Sequence, residues 1–253
     1  MNIRLLSDIH LEFGNFHPGE GDVLVLAGDI CCARDYVDDN AMADRYDEFF
    51  NKCVEGYNKI FYTMGNHEFY RYDFHKTEQV LRDSLPSGIT LMNNQSEYYN
   101  GIHFIGLPLW TSFNNKNKKD IDYARGLMND YNVITKGHKR LQPEDTYQEH
   151  IDSVNWLEKC LASCKGNTMV FSHHAPSLKS VSTTYRGENS NHAYASNLEK
   201  LIKDNPQIKM WAHGHIHDSS QYMIGECMVI SNPRGYHDYE ENIGFDNEFN
   251  VVL

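Results

Sequence analysis

Basic side chains are scarce in this sequence: 23 lysines and arginines stand against 35 aspartates and glutamates, a formal net charge of −12 over 253 residues. A dedicated binder of long nucleic acids needs an extensive basic surface, so that class is disfavoured. The one basic loop, Asn114 to Lys119, holds three lysines that read as solvated. Apolar runs are short as well, and none approaches the roughly 20 residues of a membrane-spanning helix. The run starting at Ile3 is interrupted by Arg4 and meets Asp8 almost at once, so no secretory leader is expected. The six cysteines, Cys31, Cys32, Cys53, Cys160, Cys164 and Cys227, lack the spacing of a zinc knuckle or of a secreted disulfide scaffold. Cys160 and Cys164 are expected as two buried free thiols on one helix face, and the cytoplasm as the compartment. No Pro/Gly/Ser-rich linker, internal repeat or low-complexity segment divides the chain, which predicts a single domain over residues 1–253.

What is present is a set of metal-ligand side chains, each placed just after an apolar run. Ile3-Arg4-Leu5-Leu6 leads to Asp8 and His10, Val23 to Ala27 leads to Gly28-Asp29, and Ile60 to Met64 leads to Gly65-Asn66-His67-Glu68. Met169-Val170-Phe171 leads to Ser172-His173-His174, and Ile208 to Ala212 leads to His213-Gly214-His215-Ile216-His217. Short β-rich runs of this kind read as buried strands, and in open α/β sheets sites form where carboxyl ends of strands meet a crevice. Asp8, His10, Asp29, Asn66, His173, His215 and His217 are therefore expected to converge on two divalent metals. Imidazole and carboxylate together suit Mn, Fe or Zn. Two adjacent cations need a shared anionic ligand, and Asp29 is the best candidate. Asp8 and His10 alternate by one residue, so a bend must turn both inward; for His215 and His217, Gly214 is expected to permit the bend.

These motifs, in this order, resemble the calcineurin-like metallophosphoesterase superfamily. Leu107-Pro108-Leu109-Trp110-Thr111 and Ser231-Asn232-Pro233-Arg234-Gly235-Tyr236 look like stretches of its compact bacterial and phage-type branch. The resemblance implies one metal on Asp8, His10 and His217, a second on Asn66, His173 and His215, and Asp29 between them. It implies hydrolysis of phosphomono- or phosphodiesters by a hydroxide bridging the metals, with His67 protonating the leaving oxygen. Small phosphoesters or nucleotides are the expected substrates. A nuclease acting on short or single-stranded ends is the alternative enzyme, and a noncatalytic interaction scaffold is the alternative from another class.

Strands that alternate with helices and also pair as hairpins predict a mixed sheet, which the resemblance sharpens to a four-layer αββα sandwich of two mixed β-sheets flanked by helices. Apolar residues at Tyr147, Ile151, Val154, Leu157 and Leu161 mark a helix, with Asp145 and Gln148 as its capping pair. Ser196-Asn197-Leu198-Glu199 reads as a second capping box, residues 39–57 and 74–85 as further helices, and Asn100-Gly101 and Gly225 as hairpin turns. Residues 110–141 and 174–193 read as long irregular connections holding Tyr123, Arg125, Asn129, Tyr131, His138, Tyr185 and Arg186, groups able to stack on a base or grip a phosphate. Arg186, Arg234 and His138 are the candidate substrate contacts. Glu68 reads either as an orienter of a ligand or as a helix-start acid, and His174 and His213 read as packing residues.

Overall fold

The computed structural model describes residues 1–253 and shows two mixed sheets packed face to face between helices. The first sheet has the strand order Asn250–Val252, Asn2–Leu6, Gly21–Ala27, Tyr57–Thr63, Ile89–Leu91, and only the C-terminal strand runs antiparallel to its neighbour. The second has the order Ser220–Ile224, Cys227–Ser231, Ile208–His213, Thr168–Ser172, Ile102–Leu107, Gln95–Tyr99. Its four inner strands are parallel and both edges are antiparallel.

The alternation within the strands explains the layering. Ile3, Leu5, Val23, Val25, Ala27 and Phe61 face the second sheet and pack on Phe104, Met169, Phe171, Met210 and Ile230. Their neighbours Leu6, Leu24, Leu26 and Tyr62 face outward onto the helix Ala41–Gly56, through Tyr46, Phe49, Phe50 and Cys53. On the far side, Val170, Trp211 and Val229 meet Leu157 and Leu161 of the helix Pro143–Ser163. Strands covered on both faces must be apolar at every position, which is why they read as continuous runs. No helix is long and apolar enough to cross a membrane.

Several local expectations are met. Helices occupy Ala41–Gly56 and Thr77–Ser84. Asn100 and Gly101 both take positive φ between antiparallel strands, and Gly225 takes φ +59° between Ile224 and Cys227. Three expectations need correction. The helix Pro143–Ser163 is capped three residues earlier than expected: the Gln142 N–H donates to Asp145 at 3.0 Å, because Pro143, lacking an N–H, sits comfortably in the first turn. Ser196 does not cap the helix Glu199–Asp204. Its hydroxyl accepts from Ser112 N–H, while Glu199 accepts from Ser177 and Lys179. Residues 110–141 are not irregular throughout, since they hold the helices Lys118–Leu127 and Asp130–Val133 and a small hairpin.

Candidate metal centre

All five motif-bearing strands deliver their carboxyl ends to one edge of the sandwich, where hydrogen bonds tie neighbouring strand ends together. Asp8 N–H donates to Gly28 O, Gly214 N–H to His173 O, and Arg234 N–H to Ser7 O, at 3.0, 2.9 and 3.1 Å, and the last of these joins the two sheets. Beyond the strand ends the backbone turns sharply. Asp8, His10, Asp29 and His215 have φ of 52°, 49°, 56° and 66°, a left-handed conformation that side chains other than Gly adopt at a cost of roughly 1–3 kcal/mol each and that clusters at functional sites. This supplies the inward bend that Asp8 and His10 need. At the second bend the strained residue is His215, not Gly214. Gly214 is required for proximity instead: a Cβ there would lie 2.5 Å from Asp8 Oδ2 and 2.9 Å from Ala27 O.

Two groups of donors result, and each lies within 4.8 Å of itself: Asp8, His10 and His217, and Asp29, His173 and His215. In the first, His217 Nε2 is 3.3 Å from His10 Nε2 and 3.4 Å from Asp8 Oδ1. In the second, His173 Nε2 is 3.0 Å from Asn66 Oδ1 and 3.4 Å from Asp29 Oδ1. Asp29 reaches the first group as well, its Oδ2 standing 3.8 Å from His10 Nε2. All seven expected residues are thus brought together.

The hydrogen bonds behind these atoms leave acceptors pointing at acceptors. His173 Nδ1 lies 2.9 Å from the Ala27 carbonyl and His10 Nδ1 lies 3.1 Å from Glu12, and both oxygens can only accept. In the neutral rings the proton sits on Nδ1, and Nε2 presents a lone pair to the site. Asn66 donates its amide to Asp130 at 2.8 Å, which turns its oxygen inward. His215 Nε2 is buried without any hydrogen-bond partner. Such a convergence of lone pairs and carboxylates fits divalent cations, which supply the missing positive charge.

Proton affinities reflect the same deficit. Burial opposes the charged form of His173, yet Asp29 and Asp8 overcome it and raise the pKa to about 10. Asp29 is pushed up by burial but held well below the usual carboxylate range by His173 and His67. His215, buried and facing His174 and His173, is depressed.

A further trio, His10, Glu12 and His67, is a hydrogen-bonded unit. Glu12 Oε1 accepts from His67 Nδ1 at 2.8 Å and from His10 Nδ1 at 3.1 Å, so the carboxylate orients two rings. His67 stacks on Tyr70 with ring centres 4.0 Å apart, and its Nε2 lies 3.2 Å from the Tyr236 hydroxyl. Glu68 is neither solvated nor a plain helix-start acid. It accepts from the N–H groups of Asp29, Ile30 and Gly65 and from Tyr62 Oη, pinning the two loops that carry Asp29 and Asn66. His174 and His213 are buried against Pro108 O and Ser180 Oγ.

A family model described as calcineurin-like phosphoesterase matches residues 1–219. The chain belongs to this family. It is accordingly a metal-dependent phosphoesterase, and its site residues fit that dependence. An uncharacterised protein of Acanthamoeba polyphaga mimivirus is 27% identical over 274 residues, covering 95% of this chain and 92% of that protein. Among solved structures, a phosphopantetheinyl hydrolase from Mycobacterium tuberculosis superposes with a TM-score of 0.70 at 12% identity, covering 93% of this chain and 89% of that one. GAP50, described as the anchor in the inner membrane complex of Plasmodium, superposes at 0.50 with 14% identity, covering 100% of this chain and 77% of that one. At such identities these two likenesses show a shared fold.

The expected substrate contacts are scattered. A cavity of about 660 Å³ opens on Asp29, Asn66, His215 and His217, and none of Arg186, Arg234 and His138 lines it. Arg186 lines a neighbouring groove that shares Glu188 and Asn191 with this cavity. Arg234 is buried over the Phe16 ring and faces Glu241, and His138 is exposed in the turn of the small hairpin. Sequence reading passed over Glu12, Asp130, Tyr70, Tyr194 and Tyr236. Glu12 had a signal, since it continues the alternation Asp8, His10, and Tyr236 had one in the family-like stretch Ser231 to Tyr236; the others had none.

Proposed function

We propose that this chain hydrolyses small phosphomono- or phosphodiesters with two divalent cations, manganese, iron or zinc. Asp8, His10 and His217 would hold one, Asn66, His173 and His215 the other, with Asp29 shared. The observation that carries this reading is the facing of Asn66 Oδ1 and Asp29 Oδ1 onto the lone-pair nitrogen of His173, at 3.0 and 3.4 Å, with no lysine or arginine lining the cavity. When bound, such cations acidify water and neutralise charge on phosphoryl oxygens.

The chain's own groups do the rest. Glu68 and Asp130 fix the Asp29 and Asn66 loops so that the cluster is organised before substrate arrives. Glu12 holds His67 with Nε2 toward Tyr236, a residue that lines the cavity. From there His67 protonates the departing alkoxide, and Glu12 stabilises the charged ring before the proton is delivered. Residues 1–253 act as one domain, a reading supported by the last strand pairing with the first. Six free cysteines support a reducing, cytoplasmic setting.

Metal analysis combined with a panel of p-nitrophenyl phosphate, its bis ester, cyclic nucleotides and oligonucleotides tests the proposal. Turnover that disappears with chelation and returns with one or more of the three metals is expected. Absence of turnover in fully loaded protein would favour the scaffold role instead.

A further inference from the structure

The cavity beside the cluster differs from an ordinary phosphate-binding pocket in one respect. Its walls beyond the metal-holding groups carry five tyrosines and three carboxylates, Glu188, Asp218 and Glu240, and no lysine or arginine. Three of the tyrosines are already committed to rings of the centre. Tyr70 stacks on His67 at 4.0 Å, Tyr194 lies 5.1 Å from His215, and Tyr236 lies 4.4 Å from His10. The other two, Tyr123 on the helix Lys118–Leu127 and Tyr185 on the turn Thr183–Tyr185, are 46% and 56% exposed and pair with no other ring.

Each wall feature constrains the substrate. Flat apolar faces favour a planar partner, since rings stack with little loss of freedom. The carboxylates repel any anionic group beyond the one phosphoryl that the centre neutralises. A cavity of about 660 Å³ accommodates a molecule of nucleotide size. Resting on the phosphoesterase reading above, we infer that the substrate is a phosphoester with a single phosphoryl group on a flat, uncharged ring system of nucleoside size, held between Tyr123 and Tyr185. These two residues determine specificity and take no part in the chemistry.

Equilibrium binding to metal-loaded His67→Ala protein, expected to keep its metals while hydrolysing alkyl esters roughly 10²–10⁴-fold more slowly, tests this without reference to turnover. The probes are adenosine 5′-monophosphate, ribose 5-phosphate and adenosine 3′,5′-bisphosphate, titrated calorimetrically. The monophosphate is expected to bind at least about 10-fold tighter than the ribose ester, the contribution of one or two stacked rings, and tighter than the bisphosphate. Tyr123→Leu combined with Tyr185→Leu should bring the first ratio close to one, and Tyr123→Phe with Tyr185→Phe should preserve it. Thermal unfolding of both double variants monitors the fold, and both side chains are exposed enough to be replaced without opening the core. Equal binding of monophosphate and ribose ester to the protein that keeps both tyrosines would overturn the inference while leaving the phosphoesterase reading intact. So would a ratio unmoved by leucine, or a preference for the bisphosphate. Failure of all three probes to bind, together with no turnover of any phosphoester, would overturn both.

Discussion

The side-chain amide of Asn66 donates to Asp130 Oδ1 at 2.8 Å, and the same carboxylate oxygen accepts from Tyr70 Oη at 2.9 Å. With its nitrogen committed, Asn66 has its oxygen fixed toward His173. Asp130→Asn offers the amide an alternative partner and lets it flip. Loss of an orienting group of this type costs about 10–100-fold in metal affinity, and competition against a metal-sensitive chelating dye measures it. Unchanged affinity would show that Asn66 is held by something else.

His67 is expected to act on the leaving group rather than on metal. His67→Ala should lower turnover of an alkyl phosphate ester by roughly 10²–10⁴-fold with metal content retained. The loss should be far smaller on p-nitrophenyl esters, whose leaving group needs no proton. Because Glu12 orients His67 as well as His10, adding Glu12→Ala to His67→Ala should lower alkyl ester turnover by less than the two single losses combined. Additive losses would assign the effect of Glu12 to His10, and an unchanged rate of His67→Ala on the alkyl ester would remove His67 from the acid role.

Two glycines with opposite surroundings should respond in opposite directions. A Cβ on Gly65 would sit 2.1 Å from Asp29 Oδ1 and 2.7 Å from His173 Cε1, so Gly65→Ala is expected to abolish metal retention. A Cβ on Gly126, exposed near the end of the helix Lys118–Leu127, meets nothing within 4 Å. There Gly126→Ala should stabilise the fold by about 0.5–1 kcal/mol, read by chemical denaturation. Normal metal content in the first variant would contradict the crowding described around Asp29.

Acid sensitivity should have an identifiable contributor away from the metal centre. His150 is buried with Nδ1 facing Leu109 O at 3.1 Å, and burial lowers its pKa to about 4. The unfolded chain therefore binds this proton first. The contribution of neutral His150 to stability is complete above about pH 6.5 and disappears as the pH falls through about 4. Between pH 7.5 and 5 this amounts to about 2 kcal/mol. Urea titrations at those two values should show a correspondingly smaller decrease for His150→Gln than for the wild type; equal decreases would place the acid-sensitive group elsewhere.

The convergence of the seven donor side chains was legible because each follows an apolar run whose length and composition identify a strand, and strand ends share an edge of a sheet. The layering was legible only in part: Val23 to Ala27 reads as a buried run, but which of its faces meets the second sheet depends on partners far away in the chain. The orienting groups were harder to see. Asp130 lies in a four-residue helix inside a stretch without periodicity, and nothing local distinguishes it from a surface aspartate. Arg186 and His138 were selected for their side-chain type within long connections and Arg234 because it follows a strand end, and none of the three lines the cavity. The cap at Gln142 was displaced from Asp145 because Pro143 sets the first turn, a preference that outweighs the acidic pair downstream.

The antiparallel pairing of Asn250–Val252 with Asn2–Leu6 has a practical consequence for handling the protein. The final residues brace the very strand that leads into Asp8. A truncation that removes that strand is expected to loosen the scaffold under the candidate metal centre, although it lies far from it along the chain, whereas a peptide inserted at the Gly137 turn leaves that brace untouched.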